Sequence, residues 1–115
     1  MSEATIQVPA EHLEAVRQGL VGRREDPGRR AGVESLLGQI EGASPGPAEP
    51  YRLSGSRVLL WGAVYDALCV AAEQLADECN EYWRGVVGPD AVRATTASVG
   101  ERLELLVTLG APPVE

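Results

Sequence analysis

The feature that most constrains the fold is a seam of apolar side chains in the second half of the chain, where intervals of four and three residues alternate. Its members are Trp61, Tyr65, Leu68, Ala72, Leu75, Cys79 and Tyr82. This alternation keeps the side chains on one face of a helix that packs lengthwise against another helix. It predicts a helix over residues 55–84, which would be roughly 45 Å long at 1.5 Å per residue.

A second seam with the same intervals follows after a tight break in the pattern. Its members are Val92, Thr96, Val99, Leu103 and Leu106. Residues 85–89, GVVGP, interrupt the helical spacing, and Gly110 with the two prolines after it ends the second helix. Two matching seams joined by a short loop predict an antiparallel pair of helices, over residues 55–84 and 89–109.

Two shorter helices are predicted before this pair. Pro9 suits a first helical turn, and Asp26 before Pro27 is typical of a second helix start. The apolar residues that follow at helical spacing are Leu13, Val16, Leu20 and Val21 in the first helix and Val33, Leu36, Leu37 and Ile40 in the second. We expect helices over residues 9–24 and 27–41, packed across the antiparallel pair. A chain of 115 residues fits one domain, so the predicted fold is an all-α four-helix bundle over residues 1–115.

The residues before the first helix have the pattern of a strand. Polar and apolar side chains alternate from Thr5 to Val8, which is the period of extended chain. No second strand is predicted, so this segment is expected to be an extended arm or to pair with another subunit. Ile6 and Val8 are therefore candidate interface residues. Residues 43–54, rich in proline, glycine and serine, are predicted to be a linker that crosses the domain.

Composition excludes several classes of function. The net charge of -7 argues against nucleic acid as a partner, because such binding depends on clustered positive charge. The chain has no lysine, which excludes a Walker loop and Schiff-base chemistry. Its single histidine, His12, is expected at the surface, and a His-rich metal site is excluded. We expect no cofactor, no metal and no enzymatic activity.

The sequence also predicts a location. We find no apolar run of the ~18–20 residues that span a membrane. The first residues lack the basic start and apolar core of a signal peptide. We therefore expect a cytoplasmic protein that has no contact with a membrane.

Both cysteines and several acids lie on the long helix, and their spacing separates them. Cys69 and Cys79 are ten residues apart, roughly 15 Å along a helix, which is too far for a disulfide within it. We interpret them as buried small apolar residues, with a disulfide between subunits as the alternative. Glu73 and Asp77 lie opposite the seam and are interpreted as a solvated face.

Asp66 is the most informative acid, because apolar residues surround it in the first half of the long helix. A carboxylate there reaches water or pairs with a cation, since burying it alone is costly. We expect an ion pair with Arg17, Arg57 or another arginine. The alternative is a ligand site formed by Trp61, Tyr65 and Asp66, in which the carboxylate binds a ligand amine.

Three further residues are candidates for an interface. Trp83 lies beside the break between the long helices, and interfaces favour tryptophan. Thr96 and Gly100 belong to a run of small residues, and a glycine inside a helix costs up to about 1 kcal/mol against alanine. We therefore expect a close approach at Gly100, either by the helix over residues 55–84 or by a second subunit.

The opening segment resembles a group of small, uncharacterised helical proteins of actinobacteria. The shared pattern is V-P-A-E-x₅-R-x-G-L within residues 6–21, and residues 63–78 are similar in texture to a helix of those proteins. The resemblance implies a helical fold and carries no activity or site residue. This chain departs from the pattern at residues 26–28, which break a longer helix, and in having a fourth helix.

Two functions remain after these exclusions. The first is a non-catalytic protein that self-associates, most simply as a homodimer, or binds a protein partner through apolar surface. The second is a regulatory bundle that binds a small molecule in a pocket near Trp61, Tyr65 and Asp66.

Overall fold

The structure, a computed structural model, describes residues 3–42 and 50–112, and it is mostly helical with a small sheet. The elements in chain order are β1 (Glu3–Val8), α1 (Ala10–Val21), α2 (Arg30–Gly42), β2 (Tyr51–Ser56), α3 (Arg57–Trp83) and α4 (Pro89–Leu109). The four predicted helices are confirmed, and the bounds of the last one agree to the residue. The predicted all-α bundle is confirmed in its helical part, to which the structure adds a small two-stranded sheet. Residues 43–49 of the predicted linker lie outside the described residues.

The bounds of the helices follow from local chemistry. The α1 helix ends three residues early, because the N–H groups of Arg23 and Arg24 bond to the carbonyls three residues back, Leu20 (3.0 Å) and Val21 (3.1 Å), which replaces the helical pattern by turns. Asp26 does not cap α2. Its Oδ1 accepts a 3.0 Å hydrogen bond from the N–H of Gly28, which forms a turn before the helix begins. Ser56 caps α3, since its Oγ accepts from the N–H of Leu59.

The N-terminal strand has a partner within the chain, which corrects the prediction of a lone strand. β1 pairs antiparallel with β2, and Ile6 lies opposite Leu53. Ile6 is 3% exposed and Val8 is fully buried, so neither is available to a second subunit. Gln39 of α2 hydrogen-bonds both the N–H (2.9 Å) and the carbonyl (2.7 Å) of Ser54. These bonds satisfy part of the edge that β2 would otherwise leave open.

The α3 and α4 helices form the predicted antiparallel pair. Arg57 at the start of α3 donates to the carbonyl of Leu109 at the end of α4 (3.0 Å), and Thr95 donates to Glu78 near the opposite end. The face of α3 that enters the core is not the predicted seam. It consists of Leu59, Leu60, Ala63, Val64, Ala67 and Ala71. Both α1 and α4 pack against α3, and the buried face of α3 lies between these two contacts.

The α1 helix crosses α3 at Gly19. A Cβ atom at this position would lie 2.9 Å from both the Cα and the carbonyl oxygen of Ala63. Real Cβ atoms do not come this close to backbone. Glycine is therefore required for the spacing of the two helices, and the core of Val16, Leu20 and Leu60 depends on that spacing.

The distal half of the α3–α4 pair extends beyond the core. The α1 helix has 12 residues and α3 has 27, roughly 18 Å and 40 Å at 1.5 Å per residue. From Ala72 to Ala94 every residue is described and none is buried. By length and hydropathy alone α3 could cross a membrane, a property that it shares with many core helices of soluble proteins. Several apolar residues of α3, among them Val70, Tyr82 and Trp83, are exposed.

Candidate functional site

One side of the α3–α4 pair is apolar and uncovered. On α4 it presents Leu103 (46% exposed) and Val107 (63%), and on α3 it presents Trp83 (89%). Smaller exposed residues fill the spaces between these. We call this surface the uncovered hairpin face, and it comprises Ala72, Cys79, Trp83, Thr96, Gly100, Leu103 and Val107.

Helical geometry places these residues on one side. At about 100° per residue the four α4 members fall within about 60° of one another, and the three α3 members within about 40°. Arg102, which hydrogen-bonds His12 of α1, points about 130° away from the α4 members. The uncovered hairpin face therefore lies on the side of the pair that faces away from α1.

Three of the five predicted interface residues lie on this face, namely Trp83, Thr96 and Gly100. The expected close approach of α3 at Gly100 is wrong, because no atom of another described element lies within 4 Å of a Cβ placed there. The interpretation of the cysteines as buried is also wrong, since Cys79 is exposed and Cys69 is half-buried. Glu73 and Asp77 are exposed, as predicted.

Two opposite charges flank the α4 part of the face. Arg93 and Glu104 are eleven residues apart, roughly 16 Å along the helix, and they lie on the same flank at about 100° per residue. Arg93 is 78% exposed and makes a 3.3 Å contact with Asp90. The midpoint between the two charges falls between Ser98 and Val99, next to Gly100.

A second candidate site is a cavity of about 200 Å³ at the start of α3. It is lined by Arg23, Arg29, Val58, Trp61, Gly62, Tyr65 and Pro112. Trp61 and Tyr65 stack, with ring centroids 5.3 Å apart and planes at 16°. Trp61 is held by a 3.2 Å hydrogen bond from its Nε1–H to the carbonyl of Gly110. A hydrogen bond with Cys69 raises the pKa of the Tyr65 hydroxyl.

Asp66 forms the predicted kind of ion pair, and its partner is Arg23. The Nη1 group of Arg23 donates both to Asp66 and to the carbonyl of Gly19 at 3.0 Å. The other two predicted arginines bind elsewhere, Arg17 to Glu14 and Arg57 to backbone carbonyls. Trp61 and Tyr65 therefore line the cavity, whereas Asp66 does not line it and its carboxylate is paired with Arg23.

His12 is buried, which corrects its predicted surface position. It is 2% exposed and shares the inner face of α1 with Val16 and Leu20, so the intervals of four from 12 to 20 were a signal for this burial. Its Nδ1 accepts a 3.1 Å hydrogen bond from Nε of Arg102. Arg102 also donates through Nη1 to the carbonyl of Ala67 at 2.6 Å, and burial lowers its pKa. The two side chains tie α1, α3 and α4 together.

Two carboxylates approach the other ring nitrogen of His12. Nε2 has no hydrogen-bond partner among the described residues, and it lies 3.5 Å from Glu101 and 3.7 Å from Glu11. The three side chains have the residue types and spacing of a metal site. A metal-bound histidine normally donates from its other nitrogen, but here Nδ1 accepts from Arg102. The proton of neutral His12 is therefore on Nε2, where a metal would have to bind.

Replacing Arg102 tests this assignment of His12. We expect Arg102→Met to lower the free energy of unfolding by about 1–2 kcal/mol, because His12 Nδ1 and the carbonyl of Ala67 lose their donor. We also expect Zn²⁺ to raise the melting temperature of the variant and not that of the native protein, since only the variant leaves Nδ1 able to take the proton. Calorimetry with and without Zn²⁺ measures both effects. Stabilisation of the native protein by Zn²⁺ would contradict the assignment.

Within residues 3–42 and 50–112, two candidate sites face solvent, namely the uncovered hairpin face and the aromatic cavity. A third cluster is buried and joins helices. Their residues are Ala72, Cys79, Trp83, Thr96, Gly100, Leu103 and Val107 in the first, Arg23, Arg29, Trp61 and Tyr65 among those of the second, and His12 and Arg102 in the third. Comparison with models of protein families, with characterised proteins and with solved structures gave no match to this chain.

Proposed function

We propose that this protein is a non-catalytic module that forms a homodimer through the uncovered hairpin face. The observation that carries the proposal is the position of the apolar seam residues. Residues at heptad spacing are typically covered by a partner helix. Three residues with this spacing, Cys79, Thr96 and Leu103, remain exposed. A second copy would supply the helices that this spacing requires, and two hairpins together would make a four-helix arrangement.

The length of α4 sets the extent of the contact. The α4 helix has 21 residues, roughly 31 Å, and two packed helices are roughly 18–20 Å wide. This whole side of the pair along α4 is therefore about 600 Å² in projection, and the residues of the uncovered hairpin face, over 72–83 of α3 and 96–107 of α4, occupy part of it. Each partner of a standard interface contributes about 800 Å².

The charges beside the face favour a second copy over an unrelated partner. In a two-fold contact between antiparallel α4 helices, each residue meets its mirror position across the midpoint. A midpoint between Ser98 and Val99 brings Arg93 of one copy to Glu104 of the other, twice per dimer. Gly100 then lies near the crossing, where its missing side chain permits a close approach. The face is thus complementary to itself in charge and in shape.

Charge reversal tests this arrangement. We expect Arg93→Glu and Glu104→Arg each to weaken the dimer, because each places like charges together twice. The double variant is expected to restore it, since the pairs are only exchanged. Sedimentation velocity or light scattering over a concentration series measures the dimer dissociation constant, with 1 M salt as a check that screening reduces all the differences.

Three outcomes of these measurements would contradict the proposed dimer or its geometry. A native protein that stays monomeric at high concentration would overturn the proposal. Two single variants that add their effects in the double variant, with no restoration, would overturn the antiparallel α4 contact. Binding of the native monomer to lipid vesicles, with no dimer in solution, would assign the face to a membrane surface.

A further inference from the structure

We propose that the cavity at the start of α3 binds a small aromatic carboxylate. The site goes beyond the proposed dimer, because none of the seven residues that define the uncovered hairpin face lines it. Trp61 and Tyr65 continue the α3 side of that face toward the start of the helix. Its lining combines two guanidinium groups, from Arg23 and Arg29, with the stacked rings of Trp61 and Tyr65. The first pair determines the charge of the ligand, and the second pair determines its shape.

The charge of the cavity selects an anion. Among residues 3–42 and 50–112, the lining contains two arginines and no acid. Asp66, the acid predicted to bind a ligand amine, is neutralised by Arg23 and does not line the cavity. Arg29 is 3.5 Å from Asp26, which is also outside the lining. A cationic ligand would therefore meet guanidinium groups and no carboxylate, whereas an anion would find a donor.

The Nε and Nη2 groups of Arg23, which lie beside Gly62 at the wall of the cavity, favour a carboxylate among anions. Asp66 and the carbonyl of Gly19 both accept from Nη1, and no group in residues 3–42 or 50–112 accepts from Nε or Nη2. In this chain the same edge binds carboxylates in two other arginines, Arg17 with Glu14 at 2.9 and 2.6 Å and Arg24 with Glu34 at 2.6 and 3.1 Å. This two-point geometry matches a planar carboxylate.

Gly62 allows Arg23 to lie against α3 beside the cavity. A Cβ at this position would be 2.6 Å from Nη2 and 2.7 Å from Nε of Arg23. Any side chain here would displace the guanidinium from its place between Asp66 and the cavity. The conformation of Arg23 is thus held by two hydrogen bonds on one side and by a bare stretch of helix on the other.

The rings and the volume specify a single aromatic ring. Trp61 and Tyr65 offer ring surface at the cavity, and aromatic rings stack favourably with one another at 4.5–7 Å between centroids. Val58 and Pro112 supply further apolar lining. The cavity measures about 200 Å³, somewhat more than the ~150 Å³ of an engineered cavity that holds benzene. One ring with a carboxylate fits this space, and a drug-sized ligand does not.

Benzoate is the probe for this proposal, and benzylamine and inorganic phosphate are the matched controls. Benzylamine has the ring with the opposite charge, and phosphate has the charge without the ring. We expect saturable binding of benzoate to the full chain, with shifts of the Trp61 indole N–H signal in NMR spectra, and no saturation with either control at the same concentrations. Tighter binding of benzylamine would overturn the charge assignment, and equal binding of phosphate would overturn the aromatic one.

Two variants and a control locate the site. We expect Arg23→Gln to weaken benzoate binding about tenfold, because a charge-assisted hydrogen-bonded pair is lost. Asp66→Asn is expected to tighten it, since it leaves Arg23 uncompensated without removing the guanidinium. Arg23 is 24% exposed and Asp66 46%, so the charge that each change leaves unpaired still reaches water. Arg24→Gln, on an arginine outside the cavity, should leave the affinity unchanged. No saturation by benzoate in the native protein, or equal affinity in Arg23→Gln, would overturn the proposal.

Discussion

Leu103→Glu is expected to give a monomer at concentrations where the native protein is a dimer. Leu103 is 46% exposed in the isolated chain and lies in the uncovered hairpin face, so a dimer would bury it. The substitution would place two carboxylates in the apolar contact, one from each copy, and such charges are costly to bury without partners. We expect the dissociation constant to rise at least about hundredfold, which corresponds to about 3 kcal/mol. Light scattering over a concentration series measures it.

Val70→Glu is the matched control for this change. Val70 is 58% exposed, and it points about 160° away from the α3 members of the uncovered hairpin face. It tests whether any new charge on an exposed apolar position has the same effect. We expect its dimer to be as tight as the native one. If Val70→Glu gives a monomer and Leu103→Glu does not, the contact is on the other side of the hairpin.

The sequence was sufficient to predict the helices because their signals are local. Pro89 at a helix start, Gly110 at a helix end and apolar spacing between them place α4 correctly. Asp26 misled the prediction for α2, because the same side chain can cap a helix or close a turn four residues before one. The two outcomes differ only in backbone geometry, which the residue types do not specify.

The sheet was not predicted, because its two strands have weak and distant signals. Ile6 and Leu53 are 47 residues apart, and β2 lies at the end of a segment rich in proline and glycine. Alternation over four residues predicted β1 but not its partner. Strand pairing depends on which segments the helices bring together, and it also determines burial. That is why Ile6 and Val8, predicted for an interface, belong to the core.

The candidate sites, like the fold, were predicted only where the signal is local in the sequence. A lone carboxylate on an apolar stretch of helix needs a cation, and this argument predicted the ion pair of Asp66. Its partner, Arg23, depends on where α1 crosses α3, which the sequence does not show. The period of the α3 seam was predicted, but its orientation was not, because α3 has two neighbours. Because a different face of α3 is buried, seam residues such as Cys79 remain exposed, and they belong to the uncovered hairpin face.

The crossing of α1 and α3 positions Arg23 beside the cavity and His12 beside Arg102, and Gly19→Ala is expected to disrupt it. The added methyl group would meet the Cα and carbonyl oxygen of Ala63 at 2.9 Å, and backbone cannot rotate away as a side chain can. We expect an overpacking cost near the upper end of the usual range, about 3 kcal/mol, less about 1 kcal/mol gained from helix propensity. The net loss in the free energy of unfolding is about 2 kcal/mol, measured by urea denaturation.

Gly38→Ala separates the packing cost from the effect of alanine itself. Gly38 is an exposed interior residue of α2, and no atom lies within 4 Å of a Cβ placed there. We expect this variant to be more stable than the native protein by up to about 1 kcal/mol. The two glycine-to-alanine changes should therefore differ by about 3 kcal/mol with opposite signs. Equal effects would mean that α1 can move away from α3 at little cost, and then the position of Arg23 beside the cavity would not be determined by the crossing.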